Sequence, residues 1–337
     1  MFMIVFYHFA VHTDFDFKND EYLLINRLFV DYLGFFGKAS VNIFILISGY
    51  FLCEKTEIKH SKALKLWLQV LFYSILLYAV SVLFLNDRFS YTSLFFSFFP
   101  ISMKEWWFAS NYIVLFLLSP FINKLLQSID SKRFVYLIVL FSLISTVIPT
   151  VLNYNYFCNH LLWFIYVYIV GAAIKRYNVL QKLNSIYLFI IALLVSLIAF
   201  FIHYYSNNYL DIGMIKDRIF FPYDAQNVLE LSFAILVFCA FSKIKIKYNP
   251  FINTLSSATF GVYLIHDHPA VREFVWNVII CGNRIINKQY FIVYEFISVL
   301  AVYIVCTIIE FIRKYTVEKL YSKRLNKVDS LFERLLK

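Results

Sequence analysis

Long apolar runs alternate with short polar or charged breaks along the whole chain. Ten such runs stand out, at roughly 1–12, 30–53, 64–85, 107–127, 134–152, 160–174, 186–204, 228–242, 251–266 and 290–312. Crossing about 30 Å of hydrocarbon takes about 20 apolar residues in a helix. Gly, Pro or Asn interrupts several runs, which membrane helices tolerate when neighbours satisfy the freed backbone groups. The pattern predicts an all-α, polytopic membrane helix bundle of about 10 transmembrane helices over 1–312, with a basic cytoplasmic tail over 313–337. The run 1–12 is too short to span, so the first helix is expected to be N-terminally truncated, with its start upstream.

Composition agrees. Hydrophobic residues make up 61% of the 337 residues, aromatics 21% and charged residues 15%, with a mean hydropathy of +0.69. A soluble domain is about half apolar and about a quarter charged. No soluble core hides 39 Phe and 26 Tyr in this length, so a soluble domain, a disordered chain and a collagen-like fibre are excluded.

The net charge of +10 is a matter of topology. With the N-terminus inside, the inner segments carry Lys55, Lys59, Lys62, Lys65, Lys124, Lys132, Arg133, Lys175, Arg176, Lys182, Lys243, Lys245, Lys247 and the basic residues from Arg313 onward. That places 21 of the 31 basic residues inside and 10 outside, which follows the positive-inside rule and puts both termini in the cytoplasm. The basic residues form no groove-building module, so nucleic-acid binding is not expected. The tail reads as a solvated segment drawn to anionic lipid, or as an amphipathic helix on the inner surface. The five cysteines are far apart and form no CxxC pair, which gives neither a disulfide framework nor a zinc site.

Within the runs, polar residues are rare and therefore informative. His8 and His12 are four apart and share a helix face. An intramembrane ionisable residue points to function, and histidine suits proton transfer near neutral pH. His8 alone fits both that role and a satisfied interhelical hydrogen bond, while His12 reads as interfacial. No third ligand lies near them in the sequence, so no metal is expected. Ser48-Gly49 offers a small face for close helix approach. Lys55, Lys62 and Lys65 belong to the densest basic cluster outside the tail; Lys62 and Lys65 share a helix face and suit a phosphorylated ligand as point charges, or serve as ordinary flanking charge. Lys104-Glu105-Trp106-Trp107-Phe108 and Asn159-His160-Leu161-Leu162-Trp163-Phe164 place Trp at outer helix ends, where aromatic belts or sugar stacking both account for them. Tyr263-Leu264-Ile265-His266-Asp267-His268 ends the ninth run, its histidines reading as solvated helix-end residues. Glu230, Glu295 and Glu310 are the main acidic residues inside the runs.

Together these residues resemble the integral-membrane acyltransferases of the acyltransferase-3 family, over nearly the whole chain. Met3-Ile4-Val5-Phe6-Tyr7-His8-Phe9 is similar to the family segment ending in its essential histidine. Val41-Asn42-Ile43-Phe44-Ile45-Leu46-Ile47-Ser48-Gly49-Tyr50-Phe51-Leu52 is similar to its most recognisable block. Lys62-x-x-Lys65 stands where the family often has Arg-x-x-Arg. Trp107-Phe108 with Pro120, and Tyr263-Leu264-Ile265-His266, echo later motifs. The chain departs from the family in two places: the arginine eleven residues before the histidine would precede Met1, and lysines replace the two arginines, which removes bidentate phosphate recognition.

The resemblance implies a bacterial cytoplasmic (inner) membrane O-acetyltransferase of the kind that modifies capsule, exopolysaccharide or O-antigen. Acetyl-CoA is then the donor, with its phosphates on Lys55, Lys62 and Lys65 and its thioester beside Ser48 and Gly49. His8 is the general base or the nucleophile, and His12, Trp107, Tyr263 and His266 contact the saccharide acceptor. The bilayer and a polysaccharide assembly machinery are the expected partners. A flippase for a lipid-linked saccharide, or a non-catalytic member of an assembly complex, is the alternative.

Overall fold

A computed structural model describes residues 1–16, 22–85, 87–103, 105–152, 158–180, 182–209 and 225–335. Lys18, Lys104, Lys216, Arg218 and Lys337, all among the 31 basic residues counted, lie outside them. The protein is about 80% helical, with no strand among the described residues. The helices are α1 (Phe2–His12), α2 (Leu24–Phe36), α3 (Ala39–Leu52), α4 (His60–Phe84), α5 (Tyr91–Ser97), α6 (Trp107–Ser128), α7 (Ser131–Ser142), α8 (Ile148–Leu152), α9 (His160–Tyr177), α10 (Ser185–Tyr209), α11 (Val228–Ser242), α12 (Pro250–Ser256), α13 (Thr259–His266), α14 (Pro269–Glu273), α15 (Phe291–Arg313) and α16 (Lys319–Leu335). Short π segments join α7 to α8 at Leu143–Val147, follow α14 at Phe274–Ile280, and join α15 to α16 at Lys314–Glu318.

Among the described residues, six segments are long and apolar enough to cross a membrane: Leu24–Leu52, His60–Phe84, Trp107–Ser128, Ser131–Val151, Ser185–Tyr205 and Phe291–Ser322. The protein is therefore an all-α multi-pass membrane bundle. Phe2–His12 and Val228–Ser242 are shorter apolar helices. The run 251–266 is broken into α12 and α13, of 7 and 8 residues. The Ser257 hydroxyl donates to Thr254 O at 2.6 Å and the Thr259 hydroxyl to Ser256 O at 2.8 Å, and such side-chain bonds compete with the helical ladder.

The chain divides into two compact units, one of Met1–Gly34, Ile58–Leu117 and Tyr248–Lys337, the other of Phe35–Glu57 and Leu118–Lys247. In the second unit, α3 and α9 meet backbone to backbone. A Cβ on Gly49 would collide with the Tyr168 carbonyl, and one on Gly171 would lie 2.6 Å from Leu46 O. Small residues allow this approach, as membrane helix pairs commonly require. Buried amides lock the same helices: Asn42 donates to Ala225 O at 2.8 Å and accepts from Trp163 Nε1 at 3.0 Å. Asn123 donates to Leu52 O and Lys55 O at 2.8 and 2.6 Å, and accepts from the Tyr168 hydroxyl at 2.9 Å. Gly49→Ala is expected to destabilise the protein by about 1–3 kcal/mol, because backbone rather than a flexible side chain must yield; thermal unfolding in detergent measures it.

In the first unit, α15 carries the most charged part of the interior. Glu310 is 1% exposed and accepts from Gln69 Nε2 (3.0 Å), Tyr73 Oη (2.6 Å) and both sides of the Arg313 guanidinium (2.7 and 2.9 Å). Arg313 also donates to Glu318 at 2.7 Å, across the π segment. Gly261 makes room for this cluster, since a Cβ there would collide with the Glu310 side chain. Arg313, the first residue of the basic tail in the sequence pattern, is 3% exposed and belongs to a helix that runs on into α16.

α16 lies against the start of α4. Asp329 accepts from the Ser61 amide at 2.8 Å and the Ser61 hydroxyl at 2.6 Å, the arrangement a helix N-terminus offers any anion. These Ser61 bonds, hydroxyl first, hold the Asp329 carboxyl below its ordinary value. A depressed carboxyl stabilises its folded contact above the free pKa and loses that contribution as pH falls through the lowered one. Hydrogen-exchange protection of the Ser61 amide is therefore expected to fall on acidification through the carboxylate range, and Asp329→Asn to remove that dependence.

Candidate functional site

The site grows from the end of α1. Its last two turns carry His8 and His12, one turn apart, with ring centroids 4.9 Å apart. Asn277 fixes the helix end by donating to His12 O at 3.0 Å, while its side-chain oxygen accepts from the Asp14 amide at 2.9 Å. α13 ends beside it with His266, and Asp267 is its C-cap. His8 is 8% exposed and His266 fully buried.

The hydrogen bonds fix the tautomers. His266 Nδ1 lies 2.6 Å from Val262 O. A carbonyl only accepts, so Nδ1 carries the hydrogen and Nε2 of the neutral ring holds a lone pair. His8 Nδ1 is 2.9 Å from that Nε2 and must donate to it. His8 Nε2 is therefore left with its own lone pair, and a carbonyl–His266–His8 chain holds the ring in place. A neutral imidazole with one nitrogen pinned as donor and the other a lone pair is a proton acceptor or a nucleophile.

Asp267 adds a negative centre. Its Oδ1 lies 3.5 Å from both His8 Nδ1 and His12 Nε2, and 3.9 Å from Arg272 Nη1. A carboxylate beside such a chain stabilises an imidazolium or acyl-imidazolium once it forms. The sequence offers no third ligand near His8 and His12, but folding supplies Asp267: one ligand atom from each residue falls within 4.8 Å of the others.

The other sequence-derived candidates divide. His12 and His266 join His8, and Tyr263 lies one turn before His266, 4% exposed, with Phe108 edge-on at 5.4 Å. Trp107 is only half-buried, whereas its neighbour Trp106 is 1% exposed and lies against His268. Ser48 donates to Phe44 O at 3.2 Å, and Gly49 packs on α9, both in the second unit. Lys55 and Lys62 are exposed. Lys65 is bound to Glu318 at 2.5 Å, so any anion there competes with a carboxylate. Residue patterns did not single out Asp267, Arg272, Glu105 or His268 as site members. Their only signal was a polar cluster at a helix end, which reads equally well as a solvated cap.

The described residues therefore place a buried, oriented pair of histidines inside an all-α membrane bundle. The profile of a family described as an acyltransferase domain matches residues 1–311. The chain belongs to this acyltransferase-3 family and is a multi-pass membrane acyltransferase. No curated protein and no solved structure matches it significantly.

Proposed function

We propose that the protein is an O-acetyltransferase of the bacterial cytoplasmic membrane, moving acetyl groups from cytoplasmic acetyl-CoA to hydroxyls of a cell-surface saccharide. The observation that carries this reading is the lone pair on His8 Nε2, fixed by the bond from Nδ1 to His266. Acyl transfer needs such a group, either to take the proton of the attacking hydroxyl or to carry the acyl group itself. His266 holds the ring, and Asp267 offsets the positive charge that either role creates. His12, one turn from His8, and Tyr263, one turn before His266, are the side chains we expect to contact the acceptor.

The donor is expected on the side where positive charge concentrates. Lys62, exposed at the start of α4, is a ready phosphate partner; Lys65 becomes one when Glu318 is displaced. Lys55 adds charge on the same side by the topology rule. The small Ser48-Gly49 face supports the reading less directly, because Gly49 is used in packing against α9.

The test is acetyl-CoA consumption. Membranes containing the protein, given acetyl-labelled acetyl-CoA, are expected to release CoA and deposit label in saccharide. Saccharide translocation with no acetyl-CoA consumed would replace this reading with a flippase. A cell-surface phenotype of deletion that His8→Gln fully complements would replace it with a non-catalytic assembly role.

A further inference from the structure

A second oriented histidine lies two residues beyond His266, and the proposed mechanism has not used it. His268 is 6% exposed, and its Nε2 is 3.0 Å from Glu105 Oε1. The Ser74 hydroxyl donates to the other oxygen, Glu105 Oε2. As a carboxylate Glu105 can only accept, so the 3.0 Å approach of its Oε1 calls for the hydrogen on His268 Nε2. The lone pair of the neutral ring therefore sits on Nδ1. That atom is buried and has no protein partner among the described residues. The Trp106 ring lies against the imidazole, with centroids 5.5 Å apart, and its buried Nε1–H also has no protein partner. A lone-pair acceptor beside an N–H donor matches the needs of a hydroxyl group, which donates one hydrogen bond and accepts another.

We infer that His268 is the base that deprotonates the acceptor hydroxyl, that Glu105 is its positioning residue, and that His8 is thereby free to carry the acyl group. This rests on the acyl-transfer reading above and assigns its proton steps. In the first half, His8 Nε2 forms a bond to the acyl carbon, the carbon–sulfur bond breaks, and CoA leaves as thiolate. His8 has then lost its lone pair and cannot serve as base. In the second half, His268 Nδ1 takes the hydroxyl proton as the oxygen attacks, and the bond from the acyl carbon to His8 breaks, restoring the lone pair. The proton on His268 passes to solvent, and the thiolate takes one up. The sum is thioester plus alcohol giving ester plus thiol.

The two halves are separable by experiment. The purified full chain in detergent, given acetyl-CoA and isotopically labelled CoA, reports the first half as label exchange into acetyl-CoA. Membranes of the native host lacking the gene and carrying each variant, given labelled acetyl-CoA, report complete transfer to endogenous saccharide. Wild type is expected to do both, and His8→Gln to be slowed about 10²–10⁴-fold in both. His268→Gln is expected to exchange at the wild-type rate while transfer falls about 10²–10⁴-fold, the range for loss of a general base. Retained exchange also shows that this variant folds. Glu105→Gln is expected to lower transfer less while leaving exchange at the wild-type rate, and Glu105→Asp, which keeps the carboxylate, to recover part of the lost transfer.

Transfer at the wild-type rate by His268→Gln would overturn the inference. So would loss of exchange together with transfer, which marks a structural residue. Wild-type transfer without exchange would overturn the division of labour and leave the acetyltransferase standing. Absence of both activities from wild type would instead remove the proposed function itself.

Discussion

Membranes carrying His8→Gln are expected to transfer acyl groups about 10²–10⁴-fold more slowly than wild type, at unchanged protein level and with little change in the KM for the donor. Glutamine matches the size and polarity of the imidazole, so its amide N–H can still donate to His266 Nε2 and the packing of α1 survives. It lacks a basic nitrogen, so only the chemical step is lost. The supporting chain predicts a second, graded result. His266 accepts from His8 and is itself anchored on Val262 O. His266→Gln, which keeps an acceptor, should retain more activity than His266→Leu, which leaves the His8 N–H buried and unpaired. Initial rates of labelled acetyl transfer separate the three variants, and fluorescence-detected size-exclusion chromatography checks that each is folded.

Arg313→Ala is the substitution with the largest expected cost in stability, about 3–5 kcal/mol. Arg313 holds Glu310, the most enclosed carboxylate of its network, and bridges it to Glu318 across the π segment. Removing the guanidinium leaves Glu310 with only neutral donors from Gln69 and Tyr73, in an interior where an uncompensated charge is costly. The same cluster fills the notch at Gly261, five residues before His266, so the damage is expected to reach the His8–His266 pair. The double variant Glu310→Gln with Arg313→Met, which removes both charges, is expected to be more stable than Arg313→Ala alone. Unfolding midpoints in detergent measure both, and equal midpoints for the two variants would show that the pair is not a coupled unit.

The helical membrane architecture was legible because lipid imposes length and apolarity on each span. The runs 64–85, 107–127, 134–152, 186–204 and 290–312 all became long apolar helices. The breaks were harder to see. The run 251–266 is divided at Ser257 and Ala258 into α12 and α13, a turn that hydropathy does not register. The role of Glu310 was obscured differently: it reads as an acidic residue near a span end, whereas its partners Gln69 and Tyr73 come from α4, more than two hundred residues away in sequence.

The candidate site shows the same division. His8 stands out because a histidine in an apolar run is costly and therefore informative. Asp267 and His268 sit in a polar helix-end cluster, where solvated residues are expected. Only the packing of α13 beside α1 turns that cluster inward, and only the contact with Glu105 gives His268 a defined tautomer. Gly49 gave the opposite lesson, since its small size reads equally as ligand space and as close packing, and the structure uses it to seat α3 on the backbone of α9.

The most direct measurement is the O-acetyl content of the cell-surface saccharide in a deletion strain of the native host, read by proton NMR of purified glycan. The expected result is loss of an O-acetyl signal on deletion, its return with the wild-type gene, and no return with His8→Gln. An unchanged O-acetyl signal in the deletion strain, or full restoration by His8→Gln, would contradict the assignment of saccharide O-acetylation to His8.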